Sequence, residues 1–308
     1  MTPMKTLRRL ALAADFVALA TVVLGSWTRI NGAGETCPDW PLCHGRLVPS
    51  LADGTIWEWA HRLLAFSVTP LVIALIVLAW KQRRRSPFVV PVMSCIAVLF
   101  VAQVLLGAAT VKLFNSPMSV VLHWGTAMAF VASLSAMAIF ASAAETADAA
   151  RGRHGSTGVV PGVVIGLTAA IAFVTMCVGA YVSSSGAGLA CLDIPGCAGN
   201  VIVYGSGQFV QMLHRGLAAA TLLFAAASLA VVWAVTTSRQ TRVAVCTGVA
   251  LVLVQVLLGL LNVALRLPTD LREAHAVNAA LMFLAFVVGA VFATIDSLRA
   301  PAPTAVTT

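Results

Sequence analysis

Charge is what this sequence has least of. Only 10% of its 308 residues are Asp, Glu, Lys or Arg, against about 25% in typical soluble domains. With 60% hydrophobic residues and a mean hydropathy of +0.95, that deficit excludes the soluble two-domain protein that length alone would suggest and defines an integral membrane protein. The net charge of +8 does not outline a nucleic-acid face, because the Lys and Arg residues fall in short connections beside apolar runs, where they set orientation. No nucleic-acid partner is expected. A zinc pattern is missing too: the seven cysteines show no paired short spacings, and Cys95, Cys177 and Cys246 lie within apolar runs, where they are expected to pack.

What the chain does have is long apolar runs. They predict an all-α fold of eight spanning helices at roughly 10–30, 57–80, 88–111, 118–140, 159–182, 210–235, 243–265 and 274–295, each near the ~20 residues that cross a bilayer. Lys5, Arg8 and Arg9, then Lys81, Arg83, Arg84 and Arg85, then Arg151 and Arg153, then Arg239 and Arg242 mark the cytoplasmic side. Both termini are therefore expected in the cytoplasm, with 31–56 and 183–209 as extracytoplasmic loops. Arg8 and Arg9 before an apolar stretch with Ala18-Leu19-Ala20 have the form of a signal peptide. That first run has a counterpart opening the second half, so it is expected to remain as a helix, with Asp15 pairing locally with Arg8 or Arg9.

The counterpart belongs to an internal repeat. Gly25 matches Gly179, Cys37 matches Cys191 and Cys43 matches Cys197 at an offset of 154, and His61 matches His214 at 153. Gln103-Val-Leu-Leu-Gly107 recurs verbatim as Gln255-Val-Leu-Leu-Gly259 at 152, and His123 matches His275 at that same offset. The chain reads as a duplicated four-helix unit: 1–145 and 159–298 as two tandem pseudo-symmetric four-helix bundles, 146–158 as a cytoplasmic linker, and 299–308 as a disordered tail. An even number of helices per unit relates the halves by an axis along the membrane normal.

Four of the six histidines fall in apolar helices, and the predicted topology sets all four near the extracytoplasmic end. In each half one opens the second helix (His61, His214) and one lies early in the fourth (His123, His275). Two imidazoles at one depth on facing helices suit axial ligation of a haem iron; hydrogen bonding between helices and zinc binding are the alternatives, zinc lacking a third ligand common to both halves. Glu58 precedes His61 by three residues, on one helical face, so its carboxylate is expected beside anything the imidazole holds. The second half carries Gln211 instead. Arg62 and Arg215 follow their histidines and either meet haem propionates or snorkel to the interface. Cys37 and Cys43, like Cys191 and Cys197, have five residues between them; a disulfide so spaced stabilises its loop by ~2 kcal/mol, and a redox-active pair is the alternative. Gln103 and Gln255, beside Gly107 and Gly259, are expected to tie helices closely together.

In combination, these eight helices in two halves, a His pair in each, a paired-Cys first loop and Glu58-x-x-His61-Arg62 opening helix 2 resemble the haem A synthase family over essentially the whole chain. The resemblance implies a haem-dependent oxidoreductase of cytochrome oxidase assembly that oxidises the C8 methyl of haem O to a formyl group, giving haem A for terminal oxidases. It implies Glu58 as the catalytic carboxylate, with His61, His123 and Arg62 on the substrate haem. His214, His275 and Arg215 then hold a retained haem b as cofactor, so that all four histidines ligate haem iron. Loop disulfides Cys37–Cys43 and Cys191–Cys197 are implied as well, as is a cell-membrane location among lipid, with a haem O synthase and oxidase assembly factors as partners. A di-haem b electron-transfer protein would also use two His pairs, but needs no asymmetric acid and usually stacks its haems across the membrane. A thiol-disulfide oxidoreductase leaves the histidines without a role.

Overall fold

The computed structural model describes residues 2–147, 158–201, 203, 205–235 and 237–298. Among them run eight helices long and apolar enough to cross a membrane: α1 (Pro3–Ile30), α2 (Thr55–Lys81), α3 (Val89–Lys112), α4 (Pro117–Ala147), α5 (Val160–Ser184), α6 (Ser206–Ala234), α7 (Arg239–Ala264) and α8 (Thr269–Leu298). A single 3-10 turn, Ala187–Leu189, follows α5, and the described residues form no extended strand. The chain is a multi-pass, all-helical membrane protein. Most helices outrun the spans read from hydropathy, α8 beginning at Thr269 rather than 274. Hydropathy marks the stretch that lies in hydrocarbon, whereas the helical hydrogen-bond ladder continues into polar flanks until a cap stops it.

Local chemistry explains several of those ends. The Thr2 side chain accepts from the Lys5 amide, with Pro3 in the first turn of α1, and Ser238 caps α7 by accepting from the Thr241 amide. Asp296 braces that cap from α8, accepting from the Ser238 amide at 3.0 Å and the Thr241 hydroxyl at 2.7 Å.

Within each half the helices neighbour one another in a closed order, α1 with α2 and α4, α3 with α2 and α4, then α5 with α6 and α8, α7 with α6 and α8. The halves meet through α4 on α5 and α8, and through α1 on α8. Hence α4 and α8, each with four neighbours' worth of cover, are the most buried helices, while α2, α3, α6 and α7 turn large apolar side chains such as Phe66, Leu105, Leu223 and Leu253 outward, as a lipid-facing surface requires. Small residues let the inner helices approach: Ala11, Ala14 and Ala18 of α1 are buried, and the Phe286 ring of α8 occupies the space over Gly248 of α7.

Three expectations change here. Asp15 accepts a hydrogen bond from Ser135 of α4 at 2.8 Å, so it ties two helices together across the core where the sequence suggested Arg8 or Arg9 on its own helix. Of the unpaired cysteines, only Cys177 packs inward, against Gly125; Cys95 and Cys246 face outward. The supposed linker begins later, because α4 continues to Ala147. Residues 148–157, including Arg151 and Arg153, and the tail 299–308 lie outside the described residues.

Candidate functional site

Each of the four histidines meets a glycine on the neighbouring helix. A Cβ added at Gly25 of α1 would stand 2.6 Å from His61 Cε1 on α2, and one at Gly179 of α5 would stand 2.8 Å from His214 Cε1 on α6. At Gly107 and Gly259 the distances to His123 and His275 Cε1 are 3.2 and 3.3 Å. The glycines that mark the repeat in the sequence are therefore the notches into which its imidazoles fit.

Two of the imidazoles have their tautomer fixed by the backbone. His61 Nδ1 lies 3.0 Å from the Thr21 carbonyl oxygen and His214 Nδ1 lies 3.1 Å from that of Thr175. A carbonyl only accepts, so each Nδ1 carries the proton and each Nε2 presents a lone pair, the arrangement that orients a metal-ligating histidine. The partners on the central helices are held less fully. The Nδ1 atoms of His123 and His275 are buried without hydrogen-bond partners among the described residues, and His123 Nε2 lies 3.4 Å from Gln103 Nε2. Gln255 instead donates to the His275 carbonyl at 3.1 Å and accepts from Asn278 at 2.7 Å. Both repeated glutamines thus join their helix to the next, as expected.

The donor set discriminates between metals. The His214 and His275 ring centroids are 6.4 Å apart at an interplanar angle of 71°. In the first half His61 and His123 occupy the equivalent notches, against Gly25 and Gly107. Among the described residues no three His, Cys, Asp or Glu side chains converge on one point, which leaves a protein-only zinc site without ligands. Two neutral imidazoles suit a metal that carries its own equatorial ligands, as haem iron does.

The acid and the arginine of the opening motif bond to the disulfide loop that precedes α2. Glu58, 4% exposed, accepts from the Thr36 hydroxyl at 3.0 Å and the Cys37 amide at 2.9 Å through Oε2, and from Arg62 at 2.6 Å through Oε1. Arg62 also donates to the carbonyls of Cys37, Asp39 and Leu42 at 2.8, 2.6 and 2.6 Å. Gln211 and Arg215 repeat the arrangement, Gln211 accepting from the Cys191 amide at 2.6 Å and Arg215 donating to the carbonyls of Cys191, Asp193 and Gly196. The sequence set Glu58 beside the imidazole's ligand and offered both arginines to propionates. In the structure the Arg62 guanidinium binds three loop carbonyls and Glu58, and that of Arg215 binds loop carbonyls alone. Each loop is closed by a disulfide, Cys37–Cys43 with S–S 1.98 Å and Cys191–Cys197 with S–S 2.10 Å. Each also pairs its second cysteine in an antiparallel bridge, with Arg46 and Asn200 respectively.

Some contributors were invisible in the sequence. The carbonyls of Thr21 and Thr175 are backbone atoms, although the two threonines do recur at the 154 offset of the repeat. Ser26, Arg29, Ser183 and Glu273, which join the halves close to the imidazoles, have no motif to announce them.

Eight membrane-crossing helices define a polytopic membrane protein whose buried histidines lie in two glycine-seated pairs. Comparison with known proteins narrows the class: residues 8–287 match the family model described as cytochrome oxidase assembly protein, COX15-CtaA. The chain belongs to that family. It is 34% identical over 225 residues to the "Heme A synthase" of Bacillus pumilus, covering 71% of each chain. It is 33% identical over 260 residues to that of Shouchella clausii, covering 81% of this chain and 83% of the relative, and 29% identical over 294 residues to that of Alkalihalophilus pseudofirmus, covering 91% and 95%.

Proposed function

We propose that the chain acts as a haem A synthase, oxidising the C8 methyl of haem O to a formyl group, with the first half as the reaction chamber and the second as the seat of haem b. The observation that carries the reading is the pair of imidazoles in each half, seated against glycines and, at His61 and His214, fixed by a carbonyl so that Nε2 is free to ligate. His61 and His123 hold the substrate; His214 and His275 hold haem b, which when bound supplies a redox centre. The asymmetry between the halves supports the assignment. Gln211 anchors its loop without a charge, and Arg215 binds its loop carbonyls with that amide standing where Arg62 has Glu58. Loop anchoring therefore does not require the carboxylate of Glu58, and its retention in one half alone points to chemistry.

Removing hydrogen from a methyl group releases protons and electrons, and a buried carboxylate one helical turn from the substrate ligand is suited to accept a proton or to stabilise positive charge that develops at the reacting carbon. Arg62 holds that carboxylate in place and fixes the disulfide loop over the chamber. The grouping of basic residues sets the histidines and both cysteine loops toward the extracytoplasmic side, with the termini in the cytoplasm. Haem O reaches the site through lipid, and a haem O synthase and oxidase assembly factors are the partners this role calls for.

The direct test supplies haem O to the full-length protein in membranes under reducing conditions, extracts the pigments and separates them. A hydroxylated or formyl product is expected. Absence of both from a preparation that retains haem b would sink the synthase reading.

A further inference from the structure

One buried polar contact crosses between the halves at the level of the histidines. Ser26 of α1 donates from its hydroxyl to Glu273 Oε2 of α8 at 2.8 Å, and both residues are buried, 5% and 8% exposed. Ser26 directly follows Gly25, the notch in which His61 sits, while Glu273 lies two residues before His275. Beside it Arg29 of α1 donates to Ser183 of α5 at 3.2 Å and interacts electrostatically with Glu273 and Arg272. Arg29 and Ser183 are equivalent positions of the repeat, each four residues beyond the glycine that receives a histidine.

The Ser26–Glu273 contact has no such symmetry. The 154 offset takes Ser26 to Ala180, and the 152 offset takes Glu273 back to Val121, so the reciprocal link would join an alanine to a valine and does not exist. A hydroxyl and a carboxylate buried among apolar helices are costly unless paired. Their presence at one of two equivalent places therefore needs a reason particular to that direction, from the His61 notch to the turn that carries His275.

We propose that Ser26 and Glu273 are positioning residues that couple the two histidine sites, holding the notch of the substrate pair in register with the ligand helix of the haem b pair. The proposal rests on the site assignment above. Because α1 is rigid between Gly25 and Ser26, a change in how His61 is seated moves Ser26, and the hydrogen bond passes that displacement to the first turn of α8. No other described residue donates a hydrogen bond to Glu273: Oε1 is buried without a partner, so Ser26 is the contact through which this carboxylate is held.

The test uses the full-length protein purified with its haem b, in wild-type, Ser26→Ala, Glu273→Ala and Glu273→Gln forms. Haem content, the low-spin electron paramagnetic resonance signal of haem b, and turnover of haem O are read in each. Ser26→Ala, in the opposite half from haem b, is expected to shift the haem b signal and to lower turnover several-fold with haem content unchanged. Glu273→Ala is expected to do the same, and Glu273→Gln, which keeps an oxygen for Ser26 to donate to, should restore the wild-type signal. A haem b signal in Ser26→Ala identical to wild type overturns the coupling. Equal effects of Glu273→Gln and Glu273→Ala also overturn it, since the charge rather than the hydrogen bond would then be responsible. Wild-type protein without haem b at His214 and His275 would instead overturn the site assignment itself.

Discussion

Glu58 and Gln211 occupy equivalent positions in the two halves and make the same bond, each accepting the amide proton of the first cysteine in its disulfide loop, at 2.9 Å from Cys37 and 2.6 Å from Cys191. The shared geometry separates what the position does for the fold from what its charge does in one half. An amide is enough to hold a loop; a carboxylate is needed only if a proton or a developing charge has to be managed.

Replacing Glu58 by Gln should accordingly leave the loop and the haem content close to wild type while turnover falls by ~100-fold or more, the range over which a positioned acid-base group contributes. Replacing it by Ala removes the acceptor as well and should loosen the loop, seen as faster proteolysis between Gly32 and Gly54. Pigment analysis of the Gln variant decides the matter: turnover equal to wild type would reduce Glu58 to a loop anchor.

The glycine notches predict a graded series. A Cβ 2.6 Å from His61 or 2.8 Å from His214 must displace the ring, whereas one 3.2–3.3 Å from His123 or His275 asks for a shift of only a few tenths of an ångström. Gly25→Ala and Gly179→Ala should therefore weaken haem retention in their own halves by ~10-fold or more, the scale on which disturbed ligand support acts, and Gly107→Ala and Gly259→Ala should be milder. Optical titration with haem of each purified variant measures the order.

His214→Ala and His275→Ala should each abolish the haem b spectrum of the purified protein, while His61→Ala and His123→Ala should leave it and stop turnover. A haem b spectrum that survives either of the first two substitutions would reverse the assignment of the halves.

Asp39 gives the first loop a pH dependence. Hydrogen bonds from the Gly45 amide, at 2.7 Å, and the His44 amide, at 2.6 Å, together with the Arg62 charge, hold its carboxyl below the ordinary carboxylate value despite some desolvation. The folded loop thus favours the ionised form, so this contribution is fully present above the ordinary carboxylate value and is lost as pH falls through the lower, folded one. Loop protection measured by proteolysis with an acid-active protease should decline in that acidic window, and Asp39→Asn should flatten the decline.

The sequence by itself determined the membrane class, the number of spans and the duplication, because hydropathy and residue spacing follow directly from the chain. It also picked out all four histidines and both cysteine pairs, since each recurs at a fixed offset. It could not tell where side chains point. Glu58 sits three residues before His61 and Arg62 directly after it, and that count did not show that both bind the loop, whose carbonyls and amide offer them partners. Nor did it reveal that Asp15 meets Ser135, that Thr21 and Thr175 fix the imidazoles through their carbonyls, or that Ser26 meets Glu273 across the halves. Those contacts join residues far apart in sequence or use backbone atoms that every residue has, so only the packing of one helix against another decides them.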